Sequence, residues 1–239
     1  MTFQFARSSR ASLFLGLALS ASLVTIGLNA QTTPTTTESI PSFAIGAEAG
    51  TVGFGPVVVL TASKHFTANI GYTWLNYDYD FSDKNGDYKA KLKFSNVQAI
   101  ANWHPFAGSF HVSAGVFLTD NKVDSTALPK ANATYQIGDV TYTGAQVGTV
   151  SGTTELSKGA APFVGLGWSK APGKSGFGFF VDMGVILSNT PQTKLTATGP
   201  VASDPTFKAN LSKEEQNIND ELDSLKYYPI IQIGLMYRF

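Results

Sequence analysis

The sequence contains no cysteine. That excludes disulfide frameworks, thiolate metal sites and cysteine nucleophiles. Histidine occurs only as His65, His104 and His111, too few for a multi-histidine metal site to be expected. Charge is also scarce: Asp, Glu, Lys and Arg make up 14% of the chain, against roughly 25% in a typical soluble domain. The 17 basic and 17 acidic residues cancel, which argues against a nucleic-acid binder, since these normally carry a basic excess. Beyond the first thirty residues no apolar run approaches the length of about 18 that a spanning helix needs. The chain is instead rich in glycine (23 residues) and in aromatics (12%). At 239 residues it has room for one or two domains. A composition that is Gly-rich, aromatic-rich and charge-poor suits a sheet protein in an unusual solvent.

The N-terminus reads as an address. Arg7 and Arg10 precede an uncharged, apolar stretch from Ala11 to Leu28, and Asn29-Ala30 leads into a Thr/Pro-rich tail. This is the basic, apolar, small-residue order of a secretory signal. Residues 1–30 are expected to be removed by cleavage after Ala30, leaving a tail at 31–39 and a body from residue 40. The rival reading is a membrane anchor, because the apolar run is about long enough to span.

The body alternates with the period of a strand. In the last thirteen residues Tyr227, Pro229, Ile231, Ile233, Leu235, Tyr237 and Phe239 share one face, and Gln232, Gly234 and Arg238 lie on the other. Phe177 to Leu187, Phe110 to Leu118, Pro162 to Trp168 and Ala68 to Trp74 repeat this alternation. The non-apolar face carries Gly and small polar residues in place of Lys and Glu. That fits the crowded interior of a barrel with an apolar band and aromatic girdles outside. Tyr72, Trp74, Trp103, Trp168, Tyr227, Tyr237 and Phe239 suit those girdles.

Connector lengths alternate short and long along the chain, as transmembrane barrels do. The apolar phase flips at Gly50-Thr51, where a tight turn gives eight strands and a bulge gives one fewer. The turn is the preferred reading. The strands are expected at about 40–50, 52–62, 66–81, 87–105, 109–124, 154–169, 176–190 and 227–239. A second phase shift, near Ser95-Asn96, reads as a bulge, and Asn85-Gly86 reads as a primed hairpin turn. One segment breaks the pattern. Ser203-Asp204-Pro205 offers a helix cap with Pro in the first turn, and Phe207, Leu211, Ile218, Leu222 and Leu225 fall near one helical face. An amphipathic helix over about 205–225 is expected in the last long loop. It would serve either as packing for a neighbouring loop, the preferred reading, or as a lid over the barrel mouth.

Together the leader, the alternating strands and the terminal Tyr237-Arg238-Phe239 resemble the small outer-membrane β-barrels of Gram-negative bacteria, broadly the OmpA transmembrane-domain and OmpW-like class. The resemblance covers about residues 40–239. It implies an all-β, antiparallel transmembrane barrel of eight strands in the outer membrane. It also implies that Tyr237 and Phe239 form the signal read by the barrel-assembly machinery, with outer-membrane lipids as the surroundings. The helix before the last strand departs from the simplest members. No wall-binding domain follows the barrel in this sequence.

No constellation points to chemistry, and no catalytic, cofactor or metal residues are expected. Asp83, Asn85 and Asp87 have the spacing that opens an EF-hand loop. Tyr88 stands where that loop requires Gly, however, and Phe94 where it requires Glu. No sequence signature joins a serine and an acid to any histidine, as a nucleophilic triad would require. The candidate lumen charges are Glu48, Lys91, Lys93, Asp182 and Arg238, with Lys89 beside them. They would form either a salt-bridge network filling the interior or a narrow polar path. Because eight strands enclose little more than their own side chains, the filled interior is preferred. The lysines have a further reading, against the anionic outer-leaflet surface. The function expected is a non-enzymatic outer-membrane barrel with a structural or narrow-channel role. A soluble periplasmic or secreted barrel holding a small apolar ligand is one alternative, and an outer-membrane lipid or peptide hydrolase is another.

Overall fold

The computed structural model describes residues 42–239. The expected leader 1–30, the tail 31–39 and residues 40 and 41 lie outside the described residues. Eight strands close into an antiparallel barrel: β1 (Ser42–Gly50), β2 (Gly53–Thr61), β3 (Phe66–Ser82), β4 (Gly86–Trp103), β5 (Phe110–Pro129), β8 (Val150–Ser169), β9 (Gly176–Leu187) and β11 (Tyr227–Arg238). Each pairs with the next barrel strand along the chain, and β11 returns to β1 to close the ring. Closure leaves the barrel proper without a free edge. The long loops hold β6 (Thr134–Ile137), β7 (Val140–Thr143), β10 (Gln192–Ala197), a one-turn helix α1 (Gly144–Val147) and the helix α2 (Pro205–Leu222). Both the residues next to the N-terminal tail and the C-terminus lie at the end with the short turns, where the Phe239 amide donates to the Phe43 carbonyl.

The phase flip at Gly50-Thr51 is a tight turn. Gly50 pairs with Gly53 across Thr51 and Val52, and Gly53 has φ +111°, a conformation that glycine adopts without strain. The second phase shift has a different cause from the one expected. Pairing of β3 with β4 runs unbroken from Phe66–Trp103 to Ser82–Asp87, and pairing of β4 with β5 is equally continuous. There is no bulge at Ser95-Asn96. The bulge lies on β8: Asn121 faces Ser157 but Lys122 faces Glu155, so Leu156 is the extra residue. Nor is Asn85-Gly86 the centre of a primed turn. Neither residue has positive φ, and the Asp83 carboxylate accepts from both the Asn85 and Gly86 amides at 2.8 and 2.9 Å.

Outward faces of all eight strands carry exposed apolar side chains, among them Ile45, Val58, Ile70, Val97, Val112, Val164, Met183 and Ile233. Aromatic residues cluster at the short-turn end of this belt. Phe43 stacks on Phe239 at 5.0 Å between ring centroids, Tyr237 meets Phe177 at 5.0 Å, and Phe110 meets Trp168 at 5.5 Å. At its other margin Tyr72, Trp74 and Phe54 form a second group. Along β3 the belt runs from Phe66 to Trp74. That is about 27 Å of strand, or about 20 Å of height at the tilt usual in such barrels. Beyond Trp74 the same outward face becomes Asn76, Asp78 and Asp80, all exposed.

The barrel is taller on one side. β1, β2, β9 and β11 stop near the upper margin of the belt. β3, β4, β5 and β8 rise beyond it as a curved wall, with β10 adding to its β8 edge.

Candidate functional site

The lumen is the first place where function would reside. Its wall residues follow from strand parity: even-numbered positions of β1, β4, β9 and β11 face inward, and odd-numbered positions of β2, β3 and β5 do so. The contents fall into layers. Toward the short turns a polar zone lies beside a small apolar cluster of Ala44, Val57, Val59, Phe180 and Met236. Asn102 donates to Thr67 and Asn69 at 3.2 and 3.1 Å, and the Ser113 hydroxyl donates to Asn102 at 2.8 Å. His104 is bonded to the Thr67 hydroxyl at 3.1 Å and to the Gly108 carbonyl at 2.9 Å. His111 Nε2 lies 2.6 Å from Asp182, both side chains being buried. Nearby, a space of about 10 Å³, lined by Thr67, Asn69, Asn102, His111 and Asp182 among others, is about one water in size.

A second layer is apolar and crosses the whole lumen. Val52 from the β1–β2 turn packs with Ile100, Phe117, Ala161, Phe163, Ile186 and Ile230. These residues come from β4, β5, β8, β9 and β11, so the cluster joins opposite walls. The turn is held in by its own backbone: the Val52 carbonyl accepts from Asn96 Nδ2 at 3.0 Å and from the Thr73 hydroxyl at 3.2 Å. Phe117 and Phe163 meet edge to face at 5.5 Å.

The candidate lumen charges divide into two groups. Glu48 is buried and accepts from Gln98 Nε2 at 2.6 Å. The close approach depends on Gly71, where a Cβ would sit 2.5 Å from the Glu48 carboxylate. Asp182 is paired with His111. Arg238, only 1% exposed, turns back to the short turn after β8 and donates to the Ala171 carbonyl at 2.8 Å. Lys91 and Lys93 do not face the lumen. They stand on the outward face of the wall with Lys89, where Lys91 pairs with Asp78 at 3.3 Å and Lys93 with Asp124 at 2.8 Å. The physical reason is that the outward face of the wall above the belt is exposed. Charges there are hydrated, whereas in the lumen each would need a buried partner.

Two motifs have their atoms committed elsewhere. The Asp83 carboxylate serves the turn amides, and among the described residues no group of three metal-ligating side chains is found. The Ser113 hydroxyl points to Asn102, and among the described residues no hydroxyl hydrogen-bonds to the His111–Asp182 pair.

Helix α2 starts where its cap was read. Asp204 accepts from the Thr206 and Phe207 amides at 2.8 and 3.0 Å, and Pro205 occupies the first turn. The helix packs on its neighbouring loop. Phe207 is buried against Ile137, Tyr142 and Val147, meeting Tyr142 edge to face at 5.1 Å. Its polar side chains satisfy loop backbone: Glu214 accepts from the Gly138 amide, Asn210 from Asp139, Glu215 from Leu195 and Asn219 from Thr193. Burial raises the Glu214 carboxyl above its ordinary pKa.

Sequence reasoning singled out the charges and missed the apolar cluster. The signal was present, since Phe117, Phe163, Ile186 and Ile230 are large apolar residues on faces that also carry Gly, Ser, Asp and Gln.

No family model matches the chain, and no curated protein does. Solved structures similar to it include two from one organism. CarO2 of Acinetobacter baumannii is 21% identical, with 83% of this chain and 99% of that one covered, at a TM-score of 0.60. CarO of the same organism is also 21% identical, covering 85% and 100%, at 0.59. At that identity the likeness concerns the fold, a closed eight-stranded barrel of this size.

Proposed function

We propose that this chain is an outer-membrane barrel of the small Gram-negative class, non-enzymatic, with a structural role and a lumen closed by its own side chains. The observation that carries the reading is the apolar cluster around Val52. It spans the lumen from wall to wall, so any solute path needs at least one of these side chains to move. The exposed belt on all eight outward faces supports insertion in a bilayer. An unbroken apolar ring about 20 Å high on a water-soluble barrel would be an aggregation surface. In this reading the short turns and both termini are periplasmic, and the long loops face outward. Tyr237 and Phe239, exposed at the end of β11, are the residues offered to the barrel-assembly machinery, and lipids surround the belt. The polar zone is reached from the periplasmic side only.

Reconstitution into a planar bilayer tests the proposal. Purified protein is expected to need detergent and to show only small or rare conductance steps. Large, stable steps would refute the closed lumen, and solubility without detergent would refute the membrane reading.

A further inference from the structure

The curved wall has two side edges, and the fold treats them differently. At one edge, β10 presents its outer backbone to α2, and Glu215 and Asn219 accept from the Leu195 and Thr193 amides at 2.6 and 2.7 Å. The other edge is β3. Its pairing with β2 ends at Phe54–Trp74, whereas its pairing with β4 continues to Ser82. From residue 75 onward β3 therefore has a neighbour on one side only, and Asn76 to Ser82 are seven consecutive exposed residues. Half of the backbone groups along such an edge have no ladder partner.

The side chains along this edge alternate sharply. Tyr77, Tyr79 and Phe81 lie on the concave face with exposures of 49, 47 and 44%. Phe81 stacks on Tyr88 at 4.7 Å, which fixes the ring orientation. The convex face carries Asn76, Asp78, Asp80 and Ser82. Asp78 is shared with Lys91, and no ion pair to Asp80 is found among the described residues.

We propose that residues 75–82 of β3 form a docking edge for an extended peptide, which adds to the wall as a further strand. Backbone hydrogen bonds would supply the affinity and the alternation of β3 would set the sequence. Apolar side chains at every second position would lie on Tyr77, Tyr79 and Phe81. Basic side chains at the intervening positions would lie beside Asp78 and Asp80. A second copy of this chain fits less well. A two-fold antiparallel pairing of β3 with itself, centred on Tyr79 in the middle of the free edge, sets Asp78 of each copy against Asp80 of the other, and like charges across a ladder repel.

The proposal is tested on the intact protein in detergent, so its outcome does not depend on which way the barrel faces in a membrane. The probe is a fluorescent, amidated octapeptide alternating lysine and valine. It should bind saturably at low salt. Alternate N-methylation of its backbone, in the register that faces the edge, should weaken binding by about tenfold or more, the loss of one or two net hydrogen bonds. Methylation in the other register should change it little. Asp78→Lys with Asp80→Lys, and separately Tyr77→Ser with Tyr79→Ser, should each weaken binding while the folded band on gels stays intact. Equal binding by both methylated peptides would reduce the effect to surface adsorption and overturn the proposal, as would no binding at all. Concentration-dependent dimers that Asp80→Lys alters would assign the edge to a second copy and also overturn it.

Discussion

The apolar cluster across the lumen makes the sharpest prediction. Phe117 and Phe163 are both essentially unexposed and approach from adjacent strands, β5 and β8, with ring centroids 5.5 Å apart. Replacing either by alanine removes most of a buried ring that rigid walls cannot refill, and each substitution should destabilise by about 3–5 kcal/mol. Each variant should still fold, because the barrel's hydrogen bonds run between strands and do not pass through these side chains. The double variant should lose less than the sum, by about 0.5–1.5 kcal/mol, since the second truncation no longer breaks the ring–ring contact. Urea titration in micelles, followed by the tryptophan signal or by the heat-modifiable band, measures all three. The same proteins report on closure. A single truncation leaves Ile100, Ile186, Ile230 and Val52 bridging the lumen, so conductance should change little. The double variant should show larger or more frequent steps than the wild type. If the double variant is folded, as stable as the wild type and equally silent, the cluster does not seal the lumen and the argument fails.

Removing Phe239, or changing it to Asp, takes away the ring that stacks on Phe43 and meets Tyr237 edge to face. Membrane fractionation is expected to show less of the heat-modifiable form and more protein in the periplasm, and unchanged levels would count against the assembly role. His111→Ala leaves Asp182 as a buried, unpartnered charge and should cost about 3–5 kcal/mol, whereas Asp182→Asn, which keeps a hydrogen-bonding side chain beside His111, should cost less in the same urea assay. Equal losses would mean that charge is not what the pair contributes. Glu214→Gln should stabilise the outer loops at neutral pH. The folded-state pKa of Glu214 lies above its ordinary value of 4.5. Its charged form is therefore penalised on folding, and stability is lost as pH rises through that range. The variant's advantage, read from protease cutting near Lys208 and Lys213, should vanish below about pH 4. A pH-independent difference would point to a cause other than charge.

Much of the fold was legible because the chain pits two environments against each other. The terminal strand shows this best. Tyr227 to Phe239 alternates without interruption, and the structure places Ile231, Ile233, Leu235 and Tyr237 outward and Gln232 and Arg238 inward, as the pattern required. The cap of α2 was equally legible, because Asp followed by Pro leaves the first helical amides only one nearby acceptor. Loop content was less so. β6, β7 and β10 are strands of four to six residues, too short for alternation to separate them from coil. β6 and β7 depend on contacts with α2 more than sixty residues away, and β10 on contacts with it 20 and 26 residues away.

The misreading of β4 has a specific cause. Its apolar residues shift parity from Leu92 and Phe94 to Val97, Ala99, Ala101 and Trp103, and a bulge produces the same shift. So does a strand that crosses the upper margin of the belt. Below the margin the outward face is the apolar belt and the inward face lines the packed lumen. Above it the outward face carries charges, and the inward face carries the aromatics Tyr77, Tyr79, Phe81 and Tyr88. The two cases differ in what the opposite face does. A true bulge would have carried Lys89, Lys91 and Lys93 into the lumen, where no acid on a neighbouring inward face could meet all three. Following β3 upward without interruption puts Asn76, Asp78 and Asp80 on the same outward face as Tyr72 and Trp74. The hairpin at Asp83 then sets Asp80 opposite Lys89 and Asp78 opposite Lys91. Charge complementarity across that hairpin was therefore present in the sequence. It selects the unbroken ladder, moves the lysines outward, and leaves the lumen to Glu48, Asp182, Arg238 and the buried apolar residues.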